Sequence, residues 1–568
     1  MRVAIIGGGP SGIVQLKVLT EAHRRFPVLP IEVRLFESHS RLGGVFSHHS
    51  YEEGELVSSK YLTAFSDFRP RGDDADFFSS DRYLEYLDDY ATHFELWSYI
   101  NLNTWVKSIR RGDSSEHVIT YRAADGGEIE WACDAIAVCS GVHAVPNIPD
   151  LPGVEHVPVV MHSAGFKSRE QFGKGKTVMV IGSGETSADI CYLAITGDTE
   201  RVVLCHRDGW LGAPKAGFQV SVFYPGSLAP SHTNIRSCLS MCLKLLYSTP
   251  FFFNKAWQRI SNHVSAPWRP TKWSLATRIR RFFFHTDIPP VSRTIDVAPI
   301  PSHISEDGVA HFPLNGRPES ERINETVVKP DVIIFATGYL PACQAIWKAD
   351  DPTIGFIGFV RPGFGAIPPL AEMQAMLFTM NLVNRIPKPL DPEDEWHYRI
   401  IHSHDARVTY GVEHDSYAYQ LAKDIDGAPT FTEVLKVALQ TKKGWRLPYI
   451  WAAGASFNTK FRLRGPWKWE GAGEVMTGEL WETIQRREGL FGNIPLGIVP
   501  MIYLGSINLY YVFYAHFWGF CSKIGLSRPI VIRNEPKRIM QEMEQAYNLR
   551  NSIEPQLERY QDASFKNK

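Results

Sequence analysis

The sequence predicts an α/β protein in which one parallel-sheet unit is nested inside another, and three observations predict it. A short apolar run over residues 2–6 ends in a glycine-rich turn and opens into a helical period at Ile13 and Leu16. The same device returns at residues 176–187. Two more apolar runs, 134–138 and 331–335, close on small residues in the manner of buried parallel strands.

The first unit carries Gly7, Gly9, Pro10, Ser11 and Gly12 between strand and helix. A dinucleotide pyrophosphate needs a backbone approach closer than a Cβ permits, and a helix N-terminus whose free N–H groups meet the negative charge. Gly7, Gly9 and Gly12 meet both needs. The strand over 31–37 closes on Glu37, where a carboxylate can accept from a ribose hydroxyl. An acid at a strand end is often merely solvated; the strand, turn, helix and acid together favour the nucleotide reading.

The second unit repeats the pattern with Gly182, Gly184, Glu185, Thr186 and Ser187. Ser187 stands where the third glycine is expected, which predicts a helix set slightly farther from its sheet. After the next strand, 202–205, His206 and Arg207 place a guanidinium where a 2′-phosphate would lie, favouring NADPH over NADH. The plain alternative for Arg207 is an exposed arginine closing a strand.

The chain of 568 residues is too long for one core, so several domains are expected. A net charge of −1 gives no overall field toward nucleic acid, and no nucleic-acid partner is expected. The eight cysteines include no C-x-x-C pair and no zinc pattern, and read as free thiols of a reducing compartment; no metal site is expected. No signal peptide is expected, because the first strand begins at Arg2. No Ser/His/Asp constellation suggests itself either, and of the 20 histidines only His162 belongs to a motif.

Further segments narrow the reading. Arg41-Leu42-Gly43-Gly44, Phe65-Ser66-Asp67-Phe68, Tyr90-Ala91-Thr92-His93-Phe94, Cys139-Ser140-Gly141 with Pro146-Asn147-Ile148-Pro149, Ala336-Thr337-Gly338-Tyr339, Gly358-Phe359-Val360, Ala371-Glu372-Met373-Gln374 and Phe461-Arg462-Leu463-Arg464-Gly465-Pro466 are spread along residues 2–480. With the two loops, they make the chain resemble the flavin-containing monooxygenases, and they are more specific than either loop alone.

The resemblance implies two nested Rossmann-like dinucleotide-binding domains: an FAD domain (1–165 and 329–488) interrupted by an NADPH domain (166–328) with an aromatic and basic insertion at 210–290. It implies that NADPH reduces FAD, and that one atom of O₂ passes through a C4a-hydroperoxyflavin to a small organic substrate. It adds Gly43, Gly44, Val45, Thr337 and Gly338 to the cofactor contacts, and puts Val57, Ser58 and Gln374 near the flavin; a packing role is the alternative for Gln374. Oligomerisation is left open.

Two departures from the family pattern stand out. The fingerprint F-x-G-x-x-x-H-x-x-x-(F/Y) survives only from His162 to Phe166, with His156 and Pro158 at the Phe and Gly positions. Val57 stands where the family usually carries Asn, which predicts uncoupled peroxide release. Phe166-Lys167 lacks the Trp-Pro ending of Baeyer–Villiger enzymes, so N- or S-oxygenation or hydroxylation leads. Baeyer–Villiger oxidation, and an NADPH oxidase or reductase without oxygen transfer, are the alternatives.

The stretch 489–522 contains no Asp, Glu, Lys or Arg and is rich in Ile, Leu, Val, Tyr and Phe. Its length exceeds the roughly 20 apolar residues that span a bilayer. It predicts a membrane-associating segment of an endoplasmic-reticulum-type membrane with the nucleotide domains in the cytosol; a buried hairpin or oligomer contact is the alternative. Residues 523–568 read as a polar helical tail.

Overall fold

The computed structural model describes residues 1–485 except 113–115, 124, 208–262, 265–292, 340–345, 349, 363–364 and 388–410, with scattered positions between 502 and 521. Apart from such isolated positions, the insertion at 210–290, the hydrophobic stretch 489–522 and the tail 523–568 lie outside the described residues. Both sheets and all the helices named below belong to one compact unit, Met1–Ser506.

The first sheet is built from β1 (Arg2–Ile6), β2 (Glu32–Phe36), β3 (Ile100–Asn101), β7 (Ala135–Val138), β15 (Trp347–Lys348) and β16 (Asp351–Phe356). Its order is β15-β16-β7-β1-β2-β3, parallel throughout except for the β15–β16 pair. Val3, Ala4 and Ile5 are buried, as a strand covered on both faces requires. An antiparallel sheet of β4 (Trp105–Arg111), β5 (His117–Arg122) and β6 (Glu128–Cys133) leads into β7.

The second sheet takes β8 (Val159–His162), β9 (Thr177–Ile181), β10 (Arg201–His206), β11 (Ile295–Pro299) and β14 (Val332–Phe335), all parallel, in the order β11-β10-β9-β14-β8. A small antiparallel pair, β12 (His303–Ile304) with β13 (Ala310–His311), follows β11. The strands of this sheet span residues 159 to 335, with Val159–His162 before and Val332–Phe335 after the expected 166–328. The reason is pairing: Val332–Phe335 hydrogen-bonds to β9 on one side and to Val159–His162 on the other.

Helix α1 (Pro10–Arg25) crosses the first sheet with Ile13, Val14, Leu16 and Leu19 buried, and packs on α7 (Ile367–Leu382), whose residues 368–380 are buried throughout. Between them in sequence come α2 (Val45–His48), α3 (Lys60–Thr63), α4 (Ser80–His93), α5 (Glu185–Thr196) and α6 (Pro318–Asn324). The start of α4 is fixed by Ser79, whose side chain accepts from the Arg82 N–H. After α8 (His414–Asp424), a separate core holds α9 (Phe431–Gln440) against α10 (Arg446–Ala453), with Val434, Leu447 and Ile450 buried. Among the described residues no helix is long and apolar enough to cross a membrane.

Candidate functional site

The N-terminal loop is closed by backbone. Gly7 has φ +108°, and a Cβ there would stand 2.7 Å from the Cys139 carbonyl oxygen. A Cβ on Gly12 would stand 1.9 Å from the Gly7 carbonyl oxygen, so α1 meets β1 at a distance that only glycine allows. Gly9 is the N-cap of α1; no side chain caps that end and its first turn holds no acid, leaving N–H groups open to an anion. Gly43 donates its N–H to the Gly8 carbonyl at 2.9 Å, and a Cβ on Gly44 would lie 3.1 Å from Gly9 Cα. Val45 then opens α2.

Glu37 is buried at the end of β2. Its Oε2 accepts the Gly8 N–H at 2.6 Å and its Oε1 the His39 N–H at 2.9 Å. The carboxylate thus braces the glycine loop, and a ribose hydroxyl would have to take the place of the Ser38 and His39 side chains that also approach Oε1. The His39 ring stacks on His48. Glu37, His39 and His48 bring three ligand-type atoms within 4.8 Å of one another.

The second loop has the same plan with more room. Gly182 has φ +129°, and a Cβ there would stand 2.2 Å from the Ala336 carbonyl oxygen, as Gly7 does against Cys139. Gly184 is the N-cap of α5 and open space surrounds its missing Cβ; no side chain caps this helix either. Glu185 and Thr186 begin the first turn. Ser187 is buried and gives its hydroxyl proton to the Gly184 carbonyl at 2.5 Å, so the position is filled without a clash. At the end of β10, His206 is buried 3.6 Å from Glu319 of α6. Its ring is enclosed between the end of β10 and α6. Arg207 is exposed, and its carbonyl accepts from the Arg317 guanidinium.

The two units meet at Ala336-Thr337-Gly338-Tyr339. The Thr337 hydroxyl donates to the Asn147 carbonyl at 2.5 Å, Asn147 N–H donates to the Gly338 carbonyl at 2.9 Å, and Pro146 bridges to Tyr339. His162 accepts the Ala164 N–H on Nδ1 and faces the Gly338 carbonyl with Nε2 at 3.0 Å. Those partners suit the neutral tautomer protonated on Nε2.

Tyr339 lies among His49, His143 and His162, its ring stacked on His49 and its hydroxyl 3.1 Å from His49 Nδ1. Burial, with Lys167 nearby, lowers His49 to about 4. Burial and Arg361 lower His143 to about 4, and burial pushes Tyr339 up to about 12. At neutral pH the phenol and the imidazole are therefore both uncharged, and the imidazole tautomer sets which of them donates.

The segment after α2 is pinned to the nested unit. Lys167 donates to the His48 and Ser50 carbonyls, Arg169 pairs with Glu52 at 2.6 Å and Glu53 at 2.8 Å, and the Tyr51 hydroxyl donates to Asp189 of α5 at 2.7 Å. Just beyond it, Val57 is 57% exposed, and Ser58 Oγ is 2.6 Å from Thr63 Oγ1.

Gln374 is buried in α7, where it accepts the Gly358 N–H and donates to the Tyr417 hydroxyl, both at 2.8 Å. A Cβ on Gly358 would meet Ser11 Oγ at 2.1 Å, so Gln374 reaches the first loop through Gly358. Both ends of the amide are engaged, as the packing reading of Gln374 requires.

Sequence reasoning missed an ionic knot behind α1. Lys17 Nζ is 2.6 Å from Asp67 Oδ2, and Arg462 is 3.0 Å from Asp67 and 3.2 Å from Glu372. Ser66 donates to Glu372 from both N–H and hydroxyl, and Asn458 donates to the same carboxylate. Burial works to raise Asp67, but Arg462 and Lys17 outweigh it and hold the carboxyl well below the usual range. Glu372 is raised, by burial and by Asp67. Three of the motifs found along the sequence, around Asp67, Glu372 and Arg462, thus converge on one point; only the charged residue in each could have signalled it.

Two uncapped helix starts, each faced by glycines that a Cβ would obstruct, fit two dinucleotides. Residues 1–253 match the family model described as flavin-binding monooxygenase-like. The chain is similar to monooxygenase cfoE of Aspergillus candidus, 46% identical over 90% of this chain and 98% of that protein. It is 40% identical to monooxygenase ptmN of Penicillium ochrochloron over 86% of this chain and 90% of that one. With human flavin-containing monooxygenase 2 the identity is 27%, over 83% and 90%. The chain belongs to the flavin-binding monooxygenase-like family and is a monooxygenase that uses FAD and NADPH.

Proposed function

We propose that this enzyme inserts one oxygen atom from O₂ into a small organic substrate by N- or S-oxygenation or hydroxylation, with FAD held at the first loop and NADPH at the second. The observation that carries the assignment is the difference between the two loops: the first is overlaid by Gly44 and braced by Glu37 at Gly8, while the second has open space at Gly184 and exposed Arg207 beyond the next strand. Bound FAD supplies the hydride acceptance and the oxygen activation. The chain's own residues do the rest. Gly7, Gly9, Gly12 and the α1 N–H groups receive the FAD pyrophosphate, with Ser11 in the first turn and Gly43, Gly44 and Val45 closing over it. Gly182, Gly184 and the first turn of α5 receive that of NADPH, and Arg207 meets the 2′-phosphate. Thr337 and Gly338 fix the crossing between the units, and Tyr339 lies hydrogen-bonded to His49 there.

The test is anaerobic titration of the yellow protein with NADPH, then admission of air with candidate amine or thioether substrates. Bleaching followed by oxygenated product in proportion to NADPH consumed is the expected result. A second reading, NADPH oxidation that ends in H₂O₂, is favoured by Val57, an exposed apolar side chain where the family usually has an amide. Peroxide in full proportion to NADPH with every substrate class would establish it instead.

Membrane attachment through residues 489–522, with the nucleotide domains on the cytosolic side, belongs to the same proposal. Its support is the uncharged apolar composition of that stretch, which would leave a large apolar surface in water. Full-length protein released from membranes by alkaline carbonate without detergent would count against it.

A further inference from the structure

Helix α9 is apolar over more of its circumference than the core covers. Val434 is buried and Val437 and Ala438 are half-buried against the core shared with α10. Phe431, Leu435 and Leu439, four residues apart and so on one face of a helix, are 53%, 40% and 89% exposed. Trp445, at the turn into α10, is 71% exposed. A cluster of this kind differs from singly scattered surface hydrophobics, which need no explanation.

Lysines flank the stripe: Lys436, Lys442 and Lys443 are exposed beside it. Glu433, the acid of α9, is turned away into the cap: it accepts the Thr430 N–H at 2.7 Å and pairs with Arg464 at 3.2 Å. Exposed Phe, Leu and Trp side chains flanked by lysines are the composition of a surface that lies in the headgroup layer of a bilayer.

We propose that the α9–α10 face docks on the surface of an anionic lipid bilayer, with Phe431, Leu435, Leu439 and Trp445 entering the acyl boundary and the three lysines meeting lipid phosphates. Charge complementarity chooses this occupant over two others. The stretch 489–522 offers no anion to the lysines, and residues 523–568 hold nine Lys or Arg against six Asp or Glu. A second copy of the chain, paired about a two-fold axis, would set the lysines against themselves.

The experiment uses full-length holoprotein, sedimented with vesicles of phosphatidylcholine alone or with phosphatidylserine added. Two variants are compared with the parent, Leu435→Glu/Leu439→Glu and Lys436→Glu/Lys442→Glu/Lys443→Glu, and FAD content checks that each is folded. On phosphatidylserine vesicles both variants are expected to bind roughly tenfold less or weaker still, and the parent to bind less as salt rises. Parent-like binding by both variants overturns the proposal, and assigns the attachment to residues 489–522 alone. Equal binding of the parent to both vesicle types, or a stripe variant whose C-terminal segment becomes protease-sensitive while vesicle binding is unchanged, also overturns it; the latter makes the chain's own tail the occupant.

Discussion

The two nucleotide loops share a plan and differ in tolerance. At the first, the third glycine is forced, since a Cβ on Gly12 would lie 1.9 Å from a carbonyl oxygen. At the second, the equivalent position holds a buried serine that hydrogen-bonds to the loop itself. The first loop is also overlaid by Gly43 and Gly44 and backed by the ionic knot at Lys17, Asp67, Glu372 and Arg462. The first loop is thus the more tightly enclosed of the two. The general lesson is that a shared fingerprint fixes where the phosphates go, while the packing behind it sets how firmly they stay.

The sharpest way to break this comparison is Gly12→Ala. The extra methyl has no room, and the expected cost is about 3 kcal/mol or more, seen as protein without flavin or without a cooperative melt. A yellow, stable variant would remove the premise of a forced glycine. Asp67→Asn comes next, because it leaves Arg462 and Lys17 short of a buried partner; a loss of about 3–5 kcal/mol is expected in denaturant unfolding of the holoprotein.

Arg207→Ala tests the second loop, with a loss of about 2 kcal/mol in NADPH affinity and little change for NADH. Equal losses for both nucleotides would show that another group reads the 2′-phosphate.

A pH effect of about 1–2 kcal/mol is expected from the junction, after discounting for its partial exposure. His49 and His143 are held near 4 in the folded protein against about 6.5 unfolded. Above pH 6.5 both states are neutral. Between 6.5 and 4 the unfolded chain takes up protons that the fold refuses, so stability falls, then levels off below 4. Melts of His49→Gln/His143→Gln should be flatter across that window. The smallest effect is assigned to Ser187→Gly, below about 1 kcal/mol in stability, with NADPH binding kept.

Much of the fold was legible because its signals are local. Strand, turn and helix at 2–25 and 176–196 announce themselves by apolar periodicity broken by glycine. The edge strand Val159–His162 gives no comparable signal, since it is short and half-exposed and only its pairing with Val332–Phe335 reveals it. The tight turns were legible where backbone chemistry dictates the residue, as at Gly7, Gly12 and Gly182. Side-chain roles were illegible where they depend on a distant partner. The pairing of His206 with Glu319 and of Gln374 with Gly358 and Tyr417 has no signal in the sequence. Asp67, Glu372 and Arg462 are far apart along the chain, and no spacing rule brings them together.

The clamp on residues 48–53 has a thermodynamic consequence. Lys167, Arg169 and Asp189 hold from one unit the segment that leaves the flavin loop of the other. If FAD quietens that segment, part of the ordering entropy of closing the second unit is already spent before the nicotinamide nucleotide arrives. Reciprocity then requires that NADP⁺ tighten FAD by the same factor that FAD tightens NADP⁺. A flavin that washes out of the resting enzyme more slowly when oxidised pyridine nucleotide is present would be the visible sign of that symmetry.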